Sequence, residues 1–230
     1  QTLTVGNPAL QPQFAENLDL TLEYYFEPVG AFSAGVFQKK LKDFIVSLGG
    51  QTVPNGPDNG YGGSYGGYNL VTDRNAGTAT IQGIELSFQQ QLTFLPGALK
   101  RTSFFANYTR LTTEGDYGTT GSRTTNLVPN FVPTTINAGL TFPWRSFSAR
   151  LLVNHTGEFL VGYSTDRSRL RYKLARTAWN VNLSYAVSPK VQFYFDIQNM
   201  FNARQEWYYF ERSRLQADFD NGAFVNFGIS

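Results

Sequence analysis

The chain has 230 residues, a formal net charge of +2 and no cysteine. So small a charge, without any lysine-rich block, does not predict a nucleic-acid partner. The lack of cysteine excludes disulfide frameworks and thiolate metal sites, and we expect no cofactor. Aromatic residues make up 16% of the chain, yet no apolar run reaches the roughly eighteen residues of a membrane-spanning helix. A β-barrel remains compatible with this composition, because every second residue of its strands is polar.

The first clear pattern runs from 17 to 26, where polar and apolar residues alternate. Period two is typical of a strand, and about ten residues allow a tilted strand to cross the hydrocarbon layer. The apolar stripe ends in Tyr24 and Phe26, as the outward face of a membrane barrel ends in aromatic residues at the interface. Because a short Pro-Gly turn follows at 27–30, we predict a transmembrane hairpin.

The segments around this hairpin are less regular. Residues 1–15 show no periodicity and are interpreted as an ordered loop. The second strand is predicted to continue through 39–43 to Val46, and charges on both parities of 39–43 indicate that this part stands in water. The stretch 49–77 is rich in Gly, Tyr, Asn and Pro, which predicts a long loop.

Seven further alternating segments bring the count to about nine strands. They lie at 84–92, 103–109, 135–142, 147–154, 179–185, 191–198 and 225–229. Their connections alternate between short turns, including a tight one at Pro96-Gly97, and long loops at 112–133, 160–175 and 199–222. Outer-membrane barrels arrange periplasmic turns and external loops in this way. Because an odd number of strands cannot close with every neighbour antiparallel, we expect this to be the C-terminal part of a larger barrel, with strands missing upstream.

Several landmarks occur in one order along nearly the whole chain. They are GNPALQP at 6–12, ENLDLTLEYY at 16–25, GIEL at 83–86, FANYT at 105–109, VP at 132–133, DIQNMFN at 196–202 and the terminal stretch 222–230. Together they resemble the C-terminal β-barrel region of TonB-dependent outer-membrane receptors. The chain ends at Ser230, before the terminal aromatic residue that is usual in this family, and it contains neither the plug nor the TonB-contacting segment. We therefore expect residues to be missing at both ends of 1–230.

The resemblance implies an all-β, antiparallel transmembrane barrel of about twenty-two strands, filled by an N-terminal plug. It implies a receptor in the bacterial outer membrane that is not an enzyme and that imports a scarce small-molecule or oligosaccharide ligand, such as a siderophore or a carbohydrate. Its partners would be the lipid bilayer and, through the plug, TonB and the inner-membrane energising complex. A passive porin-like channel is the alternative, since it shares the barrel and lacks the plug. An outer-membrane hydrolase is a third class, for which a single histidine, His155, offers little support.

A basic cluster crowds the predicted external loop 160–175. It consists of Arg167, Arg169, Arg171, Lys173 and Arg176. These cations could attract an anionic ligand or pair with phosphates of the outer leaflet. Simple solubilising charge explains them equally well.

Three tyrosines, Tyr61, Tyr65 and Tyr68, stand among glycines in the predicted loop 49–77. A tyrosine offers a flat apolar face with a polar tip, so the three could stack on sugar rings or on an aromatic siderophore. A mobile low-complexity loop without a specific contact explains the same pattern.

Trp144 at a short turn and Trp179 near the outer end of its strand are predicted to mark the two membrane interfaces, together with Tyr24 and Phe26. Packing in the core of a soluble fold is the alternative. For His155 we predict a hydrogen bond at the rim or in the lumen. The loop carboxylates show no acid and base spacing and are predicted to be solvated: Asp116, Glu158, Asp166 and Glu206.

Overall fold

The computed structural model describes residues 1–75, 77–118 and 124–230. Its strands, in chain order, are β1 (Thr2–Val5), β2 (Phe14–Phe26), β3 (Gly30–Lys42), β4 (Ile45–Thr52), β5 (Asn69–Asn75), β6 (Thr78–Gln91), β7 (Ser103–Asp116), β8 (Thr134–Trp144), β9 (Phe147–Thr156), β10 (Phe159–Gly162), β11 (Arg171–Lys173), β12 (Arg176–Ser188), β13 (Val191–Gln198), β14 (Gln205–Tyr209), β15 (Leu215–Phe219) and β16 (Phe224–Ile229). Two 3-10 turns lie at Gly97–Arg101 and Arg167–Arg169. In the described part of the chain, no helix has the length and apolar character needed to cross a membrane.

Nine strands form the main sheet, in the order β2-β3-β6-β7-β8-β9-β12-β13-β16. All neighbours are antiparallel, and each strand pairs with the main-sheet strands before and after it in sequence. The predicted strand count and the antiparallel β-class are therefore confirmed. The sheet is open, because β2 and β16 each have one main-sheet neighbour and do not pair with each other.

The apolar parities of neighbouring strands fall on one face of this sheet. Leu140 of β8 lies opposite Phe104 of β7 and Leu151 of β9. At the edges, Leu20 of β2 is 71% exposed and Phe227 of β16 is 77% exposed. Side chains directly opposite each other in an antiparallel pair point to the same side, so one apolar band crosses all nine strands. A soluble domain rarely exposes so continuous an apolar surface, whereas a membrane barrel presents it to lipid.

The short connections all lie at one edge of the sheet. At the β2–β3 turn, a Cβ added to Gly30 would overlap the ring of Phe26, so glycine lets this ring lie across the turn. The connection between β6 and β7 is longer than the predicted tight turn at Pro96-Gly97, because it includes the 3-10 turn Gly97–Arg101. This expectation was wrong in length but correct in position.

The long connections at the opposite edge contain strands that the sequence patterns did not predict. β1, β5 and β4 form one small sheet, in which β1 and β5 are parallel; we call it the N-terminal loop sheet. β10, β11, β14 and β15 form another, the C-terminal loop sheet. The predicted loops at 1–15, 49–77, 160–175 and 199–222 are thus partly strands. Most of these strands are only three to five residues long, which is too short for a clear alternation.

A hydrophobic core lies beneath these loops. It consists of Leu41, Phe44, Val46, Ala79, Ile81, Tyr117, Val128, Leu160, Tyr163 and Leu170. Leu41 and Ala79 lie opposite each other and share the polar face of the sheet with Asn17, so the loops pack against the face that a barrel turns inward. The expectation that the second strand continues to Val46 is wrong, although Lys40, Lys42 and Asp43 are exposed to water as expected. Asp43 has a left-handed backbone conformation (φ 54°) that ends β3, and the following Phe44 is only 3% exposed because it packs in this core.

Candidate functional site

The two loop sheets meet each other at the long-loop edge of the main sheet. Gly49 and Ser164 form a parallel β-bridge. Thr165 Oγ1 donates a hydrogen bond to the Gly49 carbonyl oxygen at 3.3 Å, and Arg169 Nη1 donates to Asn69 Oδ1 at 2.9 Å. These contacts join connections that follow β3 and β9, so the external loops form one assembly.

A cleft of about 620 Å³ lies between the two loop sheets. We call it the loop cleft; its lining includes Asn69, Tyr163, Arg169, Arg171, Tyr209 and Arg214. Three of these residues are arginines, and no aspartate or glutamate lines the cleft among the described residues. The loop cleft is therefore a cationic cavity, in which anions are favoured.

The structure brings only part of the predicted basic cluster into this cleft. Arg169 and Arg171 line it. Arg167 does not, because its guanidinium lies over the ring of Phe210, 4.8 Å from the centroid. This contact gives Arg167 a packing role instead of a position facing the cleft.

The other two cations of the cluster point elsewhere. Lys173 Nζ lies 4.7 Å from the ring centroid of Trp207 and donates to Gln205 Oε1 at 3.0 Å. Burial lowers the pKa of Lys173, and the nearby charge of Arg176 lowers it further. Arg176 Nε donates to the carbonyl oxygen of Ala203 at 3.0 Å. Of the five neighbouring cations, only Arg169 and Arg171 could therefore contact one ligand in the loop cleft.

Asp166 is exposed, as predicted, but its carboxylate is also held by neighbouring residues of the loop. Its Oδ1 accepts hydrogen bonds from the backbone N–H and the hydroxyl of Ser168 at 2.9 and 2.8 Å. These bonds and, more weakly, the charges of Arg169 and Arg214 lower the pKa of Asp166. Arg169 Nε pairs with Asp166 Oδ2 at 3.4 Å. The carboxylate thereby orients one arginine at the entrance of the loop cleft.

Glu158 is more enclosed than the solvated carboxylate that we predicted, because its side chain is only 27% exposed. Its Oε1 accepts a hydrogen bond from the Tyr208 hydroxyl at 2.7 Å, and its Oε2 lies 2.9 Å from Arg212 Nη2. Burial raises the pKa of Tyr208, and the hydrogen bond and charge of Glu158 raise it further. This group ties β14 to the chain that follows β9, away from the lining of the loop cleft.

The three predicted tyrosines form an ordered cluster. Tyr65 contacts Tyr61 and Tyr68 edge to face, with ring centroids 6.1 and 5.6 Å apart. Asn59 stabilises the loop, because its side-chain amide donates to the carbonyl oxygens of Pro54 and Ser64 and its Oδ1 accepts from the N–H groups of Tyr61 and Gly63. Tyr65 is 48% exposed. The tyrosines pack mainly on one another and do not line the loop cleft, so their role in ligand binding stays a prediction.

Apart from Arg169 and Arg171, the lining residues were not predicted from the sequence; Tyr163, Tyr209 and Arg214 are the largest side chains among them. Tyr163 stacks on Tyr117 with ring centroids 3.6 Å apart, which joins the cleft floor to the hydrophobic core. Arg214 Nη1 donates to the carbonyl oxygen of Ser168 at 3.2 Å. A positive charge in the predicted loop 199–222 was the only available indication of Arg214, and charges in loops are common.

The predicted interface residues all lie on the apolar parity of their strands. Tyr24 and Phe26 stack near the short-turn edge with centroids 5.9 Å apart, and Trp144 is 47% exposed at the same edge. Trp179 lies toward the long-loop edge, where its ring meets that of Phe201 at 6.3 Å. Their role as a membrane-interface girdle stays a prediction that these positions permit.

His155 lies on the apolar parity near the long-loop edge, where its Nδ1 is 2.8 Å from Thr177 Oγ1. It faces the same side as Ile136 and not the polar face, so the lumen alternative for its hydrogen bond is wrong. Over the described ranges, no group of three or more His, Asp or Glu residues is placed to hold a metal ion.

The architecture defines a class of protein. An antiparallel meander with one exposed apolar face, one polar face, turns at one edge and folded loops at the other is a wall of an outer-membrane β-barrel. The model of the family described as TonB dependent receptor-like, beta-barrel, matches residues 1–200, and the chain belongs to this family. The resemblance found in the sequence is therefore confirmed. No curated protein matches the chain.

Solved structures agree on the fold. A mutant ferric enterobactin receptor of Pseudomonas aeruginosa, in complex with enterobactin, superposes with a TM-score of 0.61 at 18% identity, over 98% of this chain and 32% of that one. The FrpB iron transporter of Neisseria meningitidis gives 0.61 at 13% identity, over 99% and 33%. The copper transporter OprC gives 0.59 at 18% identity, over 86% and 28%. This chain thus spans about a third of the length of these structures.

Proposed function

We propose that the protein containing this chain is a ligand-specific importer of the bacterial outer membrane, energised through TonB. One observation of the structure supports this most directly: the external loops fold into a single assembly around a cationic cleft, above the polar face of a membrane-type sheet. Family membership supports the same proposal. In this arrangement the loops capture a ligand, and the polar face forms part of the wall along which it passes.

The polar face suits an aqueous interior. Asn154 Nδ2 donates to Asn137 Oδ1 at 2.6 Å, and Asn180 Nδ2 donates to Asn154 Oδ1 at 3.2 Å. Asn180 Oδ1 in turn accepts from the backbone N–H of Asn199 at 2.9 Å. This row of uncharged amides across three strands presents hydrogen-bonding groups to water and polar solutes, while the opposite face presents hydrocarbon to lipid.

The packed loops favour a receptor over a passive channel. Leu160 and Leu170 are each 1% exposed and pack with Ile81 of the sheet wall. Loops that are anchored in this way present fixed side chains, and fixed side chains favour selective binding. A porin-like channel stays the second candidate, because the amide row would equally line an open aqueous pore.

The proposed class of ligand is supported by the cationic loop cleft and by the names of the similar structures. The printed names of the similar structures refer to ferric enterobactin, iron and copper transport. We propose a scarce nutrient of this kind, a siderophore or another small molecule or oligosaccharide, and no enzymatic role. In this proposal TonB acts through a plug, and the plug and the remaining strands of the barrel are supplied by the rest of the protein.

Uptake measured in cells with and without TonB tests the proposal. The full-length protein is expressed in a strain that lacks its own siderophore receptors, and candidate ferric siderophores are supplied in radiolabelled form. We expect surface binding in both backgrounds and uptake only where TonB is present. Uptake that continues unchanged without TonB would instead support the porin-like channel.

A further inference from the structure

One charged side chain in the loop cleft lacks a partner. Arg171 lies half-buried in β11, and its Nε is buried without a hydrogen-bond acceptor in the described structure. None of the ion pairs and side-chain hydrogen bonds between described residues involves its guanidinium. Arginine does not lose its proton in proteins, so the charge remains. A buried donor nitrogen that lacks an acceptor is unfavourable, so an acceptor from outside the described residues would complete the site.

The surroundings of Arg171 reinforce its charge instead of neutralising it. Arg169 and Arg214 line the same cleft. Asp166 is the one carboxylate among the described residues that pairs with any of these three arginines, and it pairs with Arg169. The cleft therefore carries more positive charge than the chain itself compensates.

The cleft also has space beside Arg171. In the pairing of β10 with β11, the residue opposite Arg171 is Gly162, which has no side chain. A Cβ added to Gly162 would lie 3.8 Å from Arg171 Cβ, in ordinary contact, so any larger residue would extend over this arginine. Gly49, on the N-terminal loop sheet, is a second glycine in the lining. The hydroxyl group of Ser164 in the same wall accepts from the backbone N–H of Asp166 at 3.1 Å, and its own proton is available for donation.

We infer that the loop cleft binds an oxyanion group, a carboxylate or a phosphate, with Arg171 as its principal contact and Arg169 and Arg214 at its sides. A planar guanidinium matches two oxygens of such a group. The bound oxyanion would also lie between the two loop sheets, since Asn69 and Gly49 of the N-terminal loop sheet face the same cavity. This inference rests on the proposed function only in placing the cleft on the ligand-accessible side of the membrane.

The test measures anion binding to the purified full-length protein in detergent, with inorganic phosphate and citrate as separate probes. Titration calorimetry at constant ionic strength, with chloride as the reference anion, gives the dissociation constants. We expect saturable binding of one or both probes and a loss of roughly tenfold or more in Arg171→Gln, because a charge-assisted pair of hydrogen bonds is removed. Arg171→Lys should restore the charge but not the two-point contact, and should therefore bind with intermediate affinity.

Arg167→Gln is the matched control. It removes the same charge from the same loop, but its guanidinium lies over Phe210 and not in the cleft. We expect its dissociation constants to change by less than about twofold, since an exposed charge that makes no hydrogen bond to the anion contributes little. Equal losses in Arg167→Gln and Arg171→Gln would reduce the effect to general electrostatics and overturn the inference.

Phosphate or citrate should also protect the wild-type loops from limited proteolysis, since a ligand that binds only the folded state stabilises it. This readout needs no substitution, so misfolding of a variant cannot obscure it. Wild-type protein that neither binds nor is protected by either anion overturns the inference. If such protein still supports TonB-dependent uptake of another ligand, the proposed function stands and only the oxyanion site fails.

Discussion

Leu140→Arg tests the assignment of the apolar face to lipid. Leu140 is the middle one of the five apolar outward residues of β8, from Ile136 to Trp144, and lies opposite Phe104 and Leu151. An arginine at the midplane of a membrane barrel costs about 2 to 4 kcal/mol. At about 1.4 kcal/mol per factor of ten, that cost lowers the assembly equilibrium roughly 30- to 700-fold. The exposure of Leu140 at 40% shows that its side chain would face lipid directly.

The assay compares heat-modifiable electrophoretic mobility of the full-length protein in outer-membrane fractions, which separates assembled barrels from unfolded chains. Asn107→Arg is the control, because Asn107 of β7 is exposed on the polar face and its register partners are Ser87 and Asn137. We expect Leu140→Arg to deplete the assembled species and Asn107→Arg to leave it nearly unchanged. Equal depletion by both substitutions would show that the two faces are assigned wrongly.

Three further predictions concern the loops. Leu160→Ala removes a side chain that is 1% exposed in the loop core and should destabilise the loop assembly by about 2 to 5 kcal/mol, seen as faster limited proteolysis; unchanged cleavage would contradict the packing. Asn59→Ala removes the amide that holds the tyrosine loop, and hydrogen exchange around Tyr65 should accelerate roughly tenfold or more. The pKa of Asp166 is lowered in the folded state mainly by Ser168, so its stabilisation is complete above its ordinary pKa of 3.8 and is lost as the pH falls through the lower folded pKa. Tryptophan fluorescence of thermal loop melting should show this acid loss in the wild type and not in Asp166→Asn.

The strands of the main sheet were predictable because their pattern is local. Leu18, Leu20 and Leu22 alternate with polar residues within β2, and each has its partner in the next strand of the same hairpin. Turn residues such as Pro28 and Lys190 then set the sequential order of the strands. The nine strands, the face to which each side chain points and the resemblance to the family could therefore be predicted without knowledge of long-range contacts.

The lining of the loop cleft was only partly predictable. Arg169 and Arg171 were candidates, but so were Arg167 and Lys173, and the sequence contains no feature that separates the two pairs. Their separation depends on partners far along the chain. The guanidinium of Arg167 packs on the ring of Phe210, and the ammonium group of Lys173 packs on the ring of Trp207. The contact of Lys173 with Trp207, for example, depends on the pairing of β11 with β14.

By itself, the sequence therefore determined the membrane-type sheet, since residues two apart on a strand point to the same side whatever the rest of the chain does. Only the tertiary structure decided which loop residues meet. β1 pairs in parallel with β5, and Asn69 reaches Arg169 across 100 residues of chain. Such pairings depend on how the distant loop segments pack over Ile81 and Leu160, because burial of that apolar surface, and not local alternation, selects them.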